Sequence, residues 1–141
     1  MKQELVSDWM TRDAVSITPE TSLKEAHEIM NKKKIRRLPV VTHNKVVGIV
    51  TLGDIRGAEP SKASSLSVWE MNNLLANLKV SEIMTRNPAT IHANESIGEA
   101  AKFMLENKFS GLPVVDDADH LLGIITESDI FRLVVNEWHK D

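Results

Sequence analysis

GIVTLGDI, residues 48–55, and GIITESDI, residues 123–130, decide how this chain is read. Each is an apolar stretch that runs into Thr-x-x-Asp, with Thr51 and Asp54 in the first and Thr126 and Asp129 in the second. A strand that turns at once into a capped helix fits the pattern. Working outward, the likeness extends well beyond these eight residues. VSDWMTRDAVSI (6–17) returns as VSEIMTRNPATI (80–91), and RRLPVV (36–41) as SGLPVV (110–115). The links THNKVVG (42–48) and DDADHLLG (116–123) differ by one residue. Such a length change belongs in a turn between two apolar runs. A long repeat present only twice is a duplicated module, not a solenoid array.

Each copy reads β-α-β-β-α. Short strands come first, at Val15-Ser16-Ile17 and at Ala89-Thr90-Ile91. Ser22-x-x-Glu25 and Ser96-x-x-Glu99 then cap helices whose apolar faces hold Leu23, Ala26, Ile29 and Met30, and Ile97, Ala100, Ala101, Met104 and Leu105. Pro39 and Pro113 mark strand starts or edges. The turns at His43-Asn44-Lys45 and Asp116 to His120 predict hairpins, with return strands over 46–50 and 121–125. Either copy alone is about half a small domain and buries too little surface to be stable. The expected fold is α+β, with two repeats packed about a pseudo-two-fold axis, sheets facing each other. The expected boundaries are 1–57 and 80–141 for the repeats and 58–79 for a connecting segment. In that segment Pro60, Ser61, Ser64 and Ser65 read as linker, and Ser67-x-x-Glu70 caps a helix with an apolar stripe of Val68, Met71, Leu74, Leu75 and Leu78.

Composition narrows the function. The chain has 141 residues, 42% apolar and 26% charged, with a net charge of −3. No global field invites nucleic acid or an acidic membrane. Absence of cysteine excludes disulfides, thiolate metal sites and a cysteine nucleophile, and fits a reducing compartment. MKQELVSDWM is neither a signal peptide nor a spanning helix, so the expected location is the cytoplasm. The five histidines lack i, i+4 or His-x-His ligand spacing, so no metal site is expected. Asp116, Asp117 and Asp119 read as a turn before they read as a cation site. No glycine-rich phosphate loop or Ser-His-Asp arrangement stands out.

Two copies each of Met-Thr-Arg, Leu-Pro-Val-Val and Gly-Ile-x-Thr-x-x-Asp-Ile, in that order, resemble a tandem pair of CBS (cystathionine β-synthase) domains, a Bateman module. The resemblance covers nearly the whole chain. The stretch SLSVWEMNNLLANLKVSEIM is similar to the connecting segment of acetoin-utilisation-type CBS proteins. Those relatives can carry a further C-terminal domain, which a chain ending at Asp141 is expected to lack. The resemblance implies a regulatory module, not an enzyme. It would bind AMP, ADP, ATP or S-adenosylmethionine in clefts between the repeats, pair into homodimers and signal to a regulated protein partner. A structural dimerisation module without ligand is the rival reading.

The resemblance also implies site residues. One cleft combines Thr11, Val15, Ile35, Arg36 and Arg37 with Thr126 and Asp129. The other combines Thr85, Ala89, Phe109 and Ser110 with Thr51 and Asp54. The Asp would accept from a ribose diol, the Thr would lie near ribose or phosphate, and Val15 and Ala89 would offer backbone groups to adenine. Spacing alone reads Thr-x-x-Asp as a helix cap; capping and binding are compatible, because helix-start amides also suit phosphate. Lys32, Lys33 and Lys34 read as a solvated helix end. Arg36 and Arg37 enter a strand where the second copy has Ser110 and Gly111, so the clefts are expected to be unequal and the arginines to favour phosphate. The helix around Trp69 is either packed on the module or a partner surface.

Overall fold

The computed structural model describes residues 4–59 and 67–140. In chain order these form α1 (Val6–Trp9), β1 (Thr11–Arg12), α2 (Leu23–Lys33), β2 (Arg37–Thr42), β3 (Lys45–Thr51), α3 (Leu52–Ala58) and α4 (Val68–Asn77). A 3-10 turn at Val80–Glu82 follows, then β4 (Thr85–Arg86), β5 (Ile91–His92), α5 (Ile97–Asn107), β6 (Gly111–Val115), β7 (Leu121–Thr126) and α6 (Glu127–Trp138). The linker residues Pro60, Ser61, Ser64 and Ser65 lie outside the described residues.

The chain divides into two compact units, and neither is a sequential repeat. One unit joins residues 1–14 to 89–141; the other is 15–88. Each therefore takes the opening segment of one copy and the body of the other. In the first unit the sheet order is β1-β7-β6-β5, with Thr11 opposite Ile124 across an antiparallel pair. In the second unit the order is β2-β3-β4, with Ile49 opposite Thr85.

The cores show the same exchange side chain by side chain. Val6 and Met10 from the first copy pack with Ile91, Ile97, Ala100, Met104, Leu112 and Ile125 from the second. Val80 and Met84 do the equivalent job among Ile17, Leu23, Ala26, Met30, Leu38 and Val50. The apolar faces expected on α2 and α5 are the buried ones: Leu23, Ala26 and Met30, and Ile97, Ala100 and Met104. Both helices end at a lysine in the left-handed conformation, Lys34 at φ 57° and Lys108 at φ 59°. Lys32 and Lys33 are exposed beside the first of these ends.

Some expectations change. The first-copy strand at Val15-Ser16-Ile17 shrinks to one bridge, Ile17 with Val40, because the chain turns at once through Thr18 to Thr21. In the second copy the strand is Ile91–His92, starting two residues later and ending one later than expected. Pro39 and Pro113 sit inside β2 and β6 instead of starting them; β2 is an edge strand of its sheet, as the proline allows, whereas β6 is internal. The stripe on α4 is only partly used. Leu75 is buried and Leu78 packs on the same core, whereas Val68 and Trp69 are 78% and 74% exposed. The Leu23 amide donates to the Leu78 carbonyl at 2.9 Å, which fixes the end of α4 against the start of α2.

Candidate functional site: two strand-to-helix carboxylates

Each Thr-x-x-Asp lies where a long strand passes directly into a helix. At the end of β3 the Thr51 amide donates to Asp54 Oδ2 at 2.8 Å, and the Asp54 amide donates back to Thr51 Oγ1 at 3.1 Å. This reciprocal box satisfies two orphan donors and fixes the carboxylate one residue-turn into α3. At the end of β7 the Thr126 amide donates to Asp129 Oδ2 at 2.8 Å. Here the Thr126 hydroxyl donates to the same oxygen at 3.1 Å. The spacing is identical, yet one hydroxyl accepts and the other donates.

The carboxylates also differ in environment. Asp54 is half-buried. Asp129 is 1% exposed, the sole charged side chain so buried among the described residues, and its Oδ1 accepts from Arg132 Nη2. Burying a carboxylate is tolerable only when it is paired and hydrogen-bonded, and Asp129 is both. Arg132 was not foreseen, although Asp-x-x-Arg on a helix is a spacing at which side chains meet.

The β2 and β6 entries abut these boxes. The Leu52 amide donates to the Arg36 carbonyl at 2.8 Å, and Arg37 lies opposite Thr51 in the ladder. Likewise the Glu127 amide donates to the Ser110 carbonyl at 3.1 Å, and Gly111 lies opposite Thr126. Two of the first three amides of α3, those of Leu52 and Asp54, are thus already taken, which weakens the expected role of helix-start amides as phosphate donors there. Within one unit, the backbones of Arg36 and Arg37 thus stand beside Thr51 and the start of α3.

The other candidate residues divide between the units. Thr11 and Thr85 are exposed on β1 and β4. Val15 and Ile35 pack against the core of the second unit, and Ala89 against that of the first. The Phe109 ring is 5.8 Å from that of Phe103 and borders an apolar groove of about 510 Å³ between α5 and α6, lined also by Met104, Leu105, Ile130 and Phe131.

Both Gly48 and Gly123, the first residues of the two decisive stretches, have a role that spacing did not announce. A Cβ on Gly123 would lie 2.5 Å from the Thr11 carbonyl oxygen and 2.9 Å from Met10 Sδ. On Gly48 it would lie 2.6 Å from Met84 Sδ. At 123 glycine is needed for close approach of the exchanged backbone, whereas at 48 the close atom belongs to a flexible side chain and the Thr85 carbonyl oxygen stands off at 3.1 Å.

The acidic turn is a turn. Amides of Ala118 and His120 donate to Asp116 Oδ1, each at 2.9 Å. The His120 amide is the chief cause that holds the Asp116 carboxyl below its ordinary range. His120 Nδ1 and His92 Nδ1 each lie 3.2 Å from an aspartate, Asp116 and Asp117 respectively. Among the described residues no group of three or more histidine, aspartate or glutamate side chains is placed to hold a metal ion. No helix among them is long and apolar enough to cross a membrane.

Comparison with known proteins agrees with this architecture. The CBS domain model matches residues 6–61 and again 80–136, so the chain belongs to the CBS domain family. It is similar to the CBS domain pair of protein MJ0100, solved with 5′-methylthioadenosine and S-adenosyl-L-methionine (36% identity, 94% of this chain and 97% of that one, TM-score 0.76). It is also similar to CBSX2 solved with AMP (29% identity, 96% and 99%, TM-score 0.83). A third similar structure is a Vibrio cholerae protein proposed to serve acetoin utilization, AcuB (30% identity, 95% and 92%, TM-score 0.78). Three curated relatives that are 32%, 34% and 37% identical are much longer, and the chain spans 47%, 23% and 23% of them.

Proposed function

We propose that this chain is a regulatory binding module for an adenosine-type ligand, AMP, ADP or ATP, with S-adenosylmethionine as the alternative. The reading rests on one observation above the rest. Both units hold an aspartate at the same strand-to-helix junction, fixed by its Thr amide at 2.8 Å, in a fold whose similar structures were solved with AMP or with S-adenosylmethionine and methylthioadenosine. An aspartate so fixed is held in place to accept from a vicinal diol with the acceptor positions that its own partners leave open. Thr51 with Asp54 and Thr126 with Asp129 are the ribose clamps of this proposal. Thr11, Thr85, Val15, Ala89, Ile35, Phe109 and Ser110 are its secondary contacts. Arg36 and Arg37 supply the phosphate cations, and their place beside Thr51 favours service with Asp54.

Binding signals only if the ligand has different affinities for two states of the module. The output passes to a protein partner or through a homodimer. A cytoplasmic setting and the absence of a bond-making step belong to the same proposal; turnover of a supplied nucleotide would overturn the latter.

A thermal melt tests the core claim. A true ligand at 100 times its Kd stabilises the folded state by about 2.7 kcal/mol. An unchanged melting temperature with adenosine, AMP, ADP, ATP and S-adenosylmethionine sinks the reading in favour of a ligand-free structural module. Asp54→Ala and Asp129→Ala should each remove one binding event. Combined Arg36→Ala and Arg37→Ala should weaken AMP far more than adenosine, and should do so in the Asp129→Ala background. Loss of that selectivity in Asp129→Ala instead would return the arginines to the other clamp.

A further inference from the structure

The two clamps are unequal, and the difference lies three residues beyond each aspartate. Asp129 already accepts three donors: the Thr126 amide, the Thr126 hydroxyl and Arg132 Nη2. A carboxylate offers about four acceptor positions, so only one remains. A diol needs two. Arg132 also neutralises the charge that makes a carboxylate a strong acceptor. The position equivalent to Arg132 in the first copy is Gly57, which has no side chain to place on Asp54. There the donor to the carboxylate is the Thr51 amide, and the Thr51 hydroxyl accepts from the Asp54 amide instead of donating.

We propose that Arg132 is a latch on the second clamp: it occupies Asp129, and a vicinal diol binds there only by displacing it. This deepens the reading of Thr126 and Asp129 as a ribose clamp and rests on it. Arg132 is able to leave, because its side chain is 61% exposed while Asp129 is buried. The consequence is a built-in order of filling, with the Asp54 clamp taking ligand at lower concentration than the Asp129 clamp. Arg132 is thus a specificity-determining residue that sets the threshold of the second site.

Adenosine is the probe, since it carries the diol without a phosphate to engage other cations. In an Asp54→Ala background, which isolates the second clamp, Arg132→Ala should tighten adenosine about tenfold, the equivalent of one lost charge-assisted hydrogen bond. The converse graft is independent of Asp129. A side chain at Gly57 meets nothing within 4 Å at its Cβ, so Gly57→Arg fits on α3. In an Asp129→Ala background Gly57→Arg should weaken adenosine about tenfold. A merely structural arginine would not transfer its effect to the other copy. Unchanged or weaker binding in Arg132→Ala overturns the latch. If that variant fails to fold, by circular dichroism, unchanged binding in Gly57→Arg overturns it instead. Failure of wild type to bind adenosine at all is a separate result: it removes the clamp reading, and the latch falls with it.

Discussion

Gly123 shows how much one missing methyl decides. Its partner across the ladder is Arg12, and the preceding Met10 and Thr11 come so close that a Cβ would meet the Thr11 carbonyl at 2.5 Å. A backbone oxygen cannot step aside as a flexible side chain does. Gly123→Ala should therefore expel β1 and cost about 1–3 kcal/mol, as overpacking does. Gly57→Ala is the control: it lies inside α3, meets nothing, and should stabilise by about 0.8–1 kcal/mol through helix propensity. Urea denaturation of both variants reads the contrast, and equal stabilities would refute the close-approach argument. At this scale the sequence was partly legible. Thr51, Asp54, Thr126 and Asp129 announced themselves by spacing. The burial of Asp129 and the direction of each threonine hydroxyl did not, because they depend on tertiary packing and on a residue one helical turn further along.

Elements were legible in proportion to their length. Helices α2 and α5, each of eleven residues, have capping serines and enough turns to show an apolar face. Helix α1, at four residues, and β1, at two, are too short for periodicity to reveal, and both were missed. Helix α6 carries more apolar surface than its own unit uses. Phe131, Val135 and Trp138 are 63%, 56% and 82% exposed, beside Leu105 at 82% on α5. The first copy has Arg56 and Asn31 where the second has Phe131 and Leu105, so this face is particular to the second copy. Exposed apolar side chains of this kind suit an interaction surface, and we propose that the homodimer, if formed, uses them. Phe131→Asp with Val135→Asp should convert a dimer into a monomer by light scattering while leaving the melt cooperative. A wild type that is already monomeric at tens of micromolar would sink the dimer.

At the scale of the whole molecule, the duplication was plain in the sequence, and the exchange entered only through the resemblance, which grouped Thr11 with Thr126 and Thr85 with Thr51. Two similar segments, VSDWMTR and VSEIMTR, are each chemically able to complete either body, so sequence alone cannot say which goes where. The structure gives Val6 and Met10 to the body that follows Ala89, and Val80 and Met84 to the body that precedes them. A fragment of residues 89–141 should therefore remain uncooperative by thermal melt, lacking two buried core side chains and an edge strand. Adding a peptide of residues 4–14 should restore a cooperative transition. Independent folding of 89–141 as a monomer would show the exchange to be dispensable. There is also an order in time. Synthesis delivers the first strand long before its partner, since Thr11 pairs with Ile124, and contacts so distant along the chain form slowly. Met10 and Thr11 leave the ribosome long before the strand they pack against, and until that strand arrives the apolar side chain of Met10 stays open to other nascent chains.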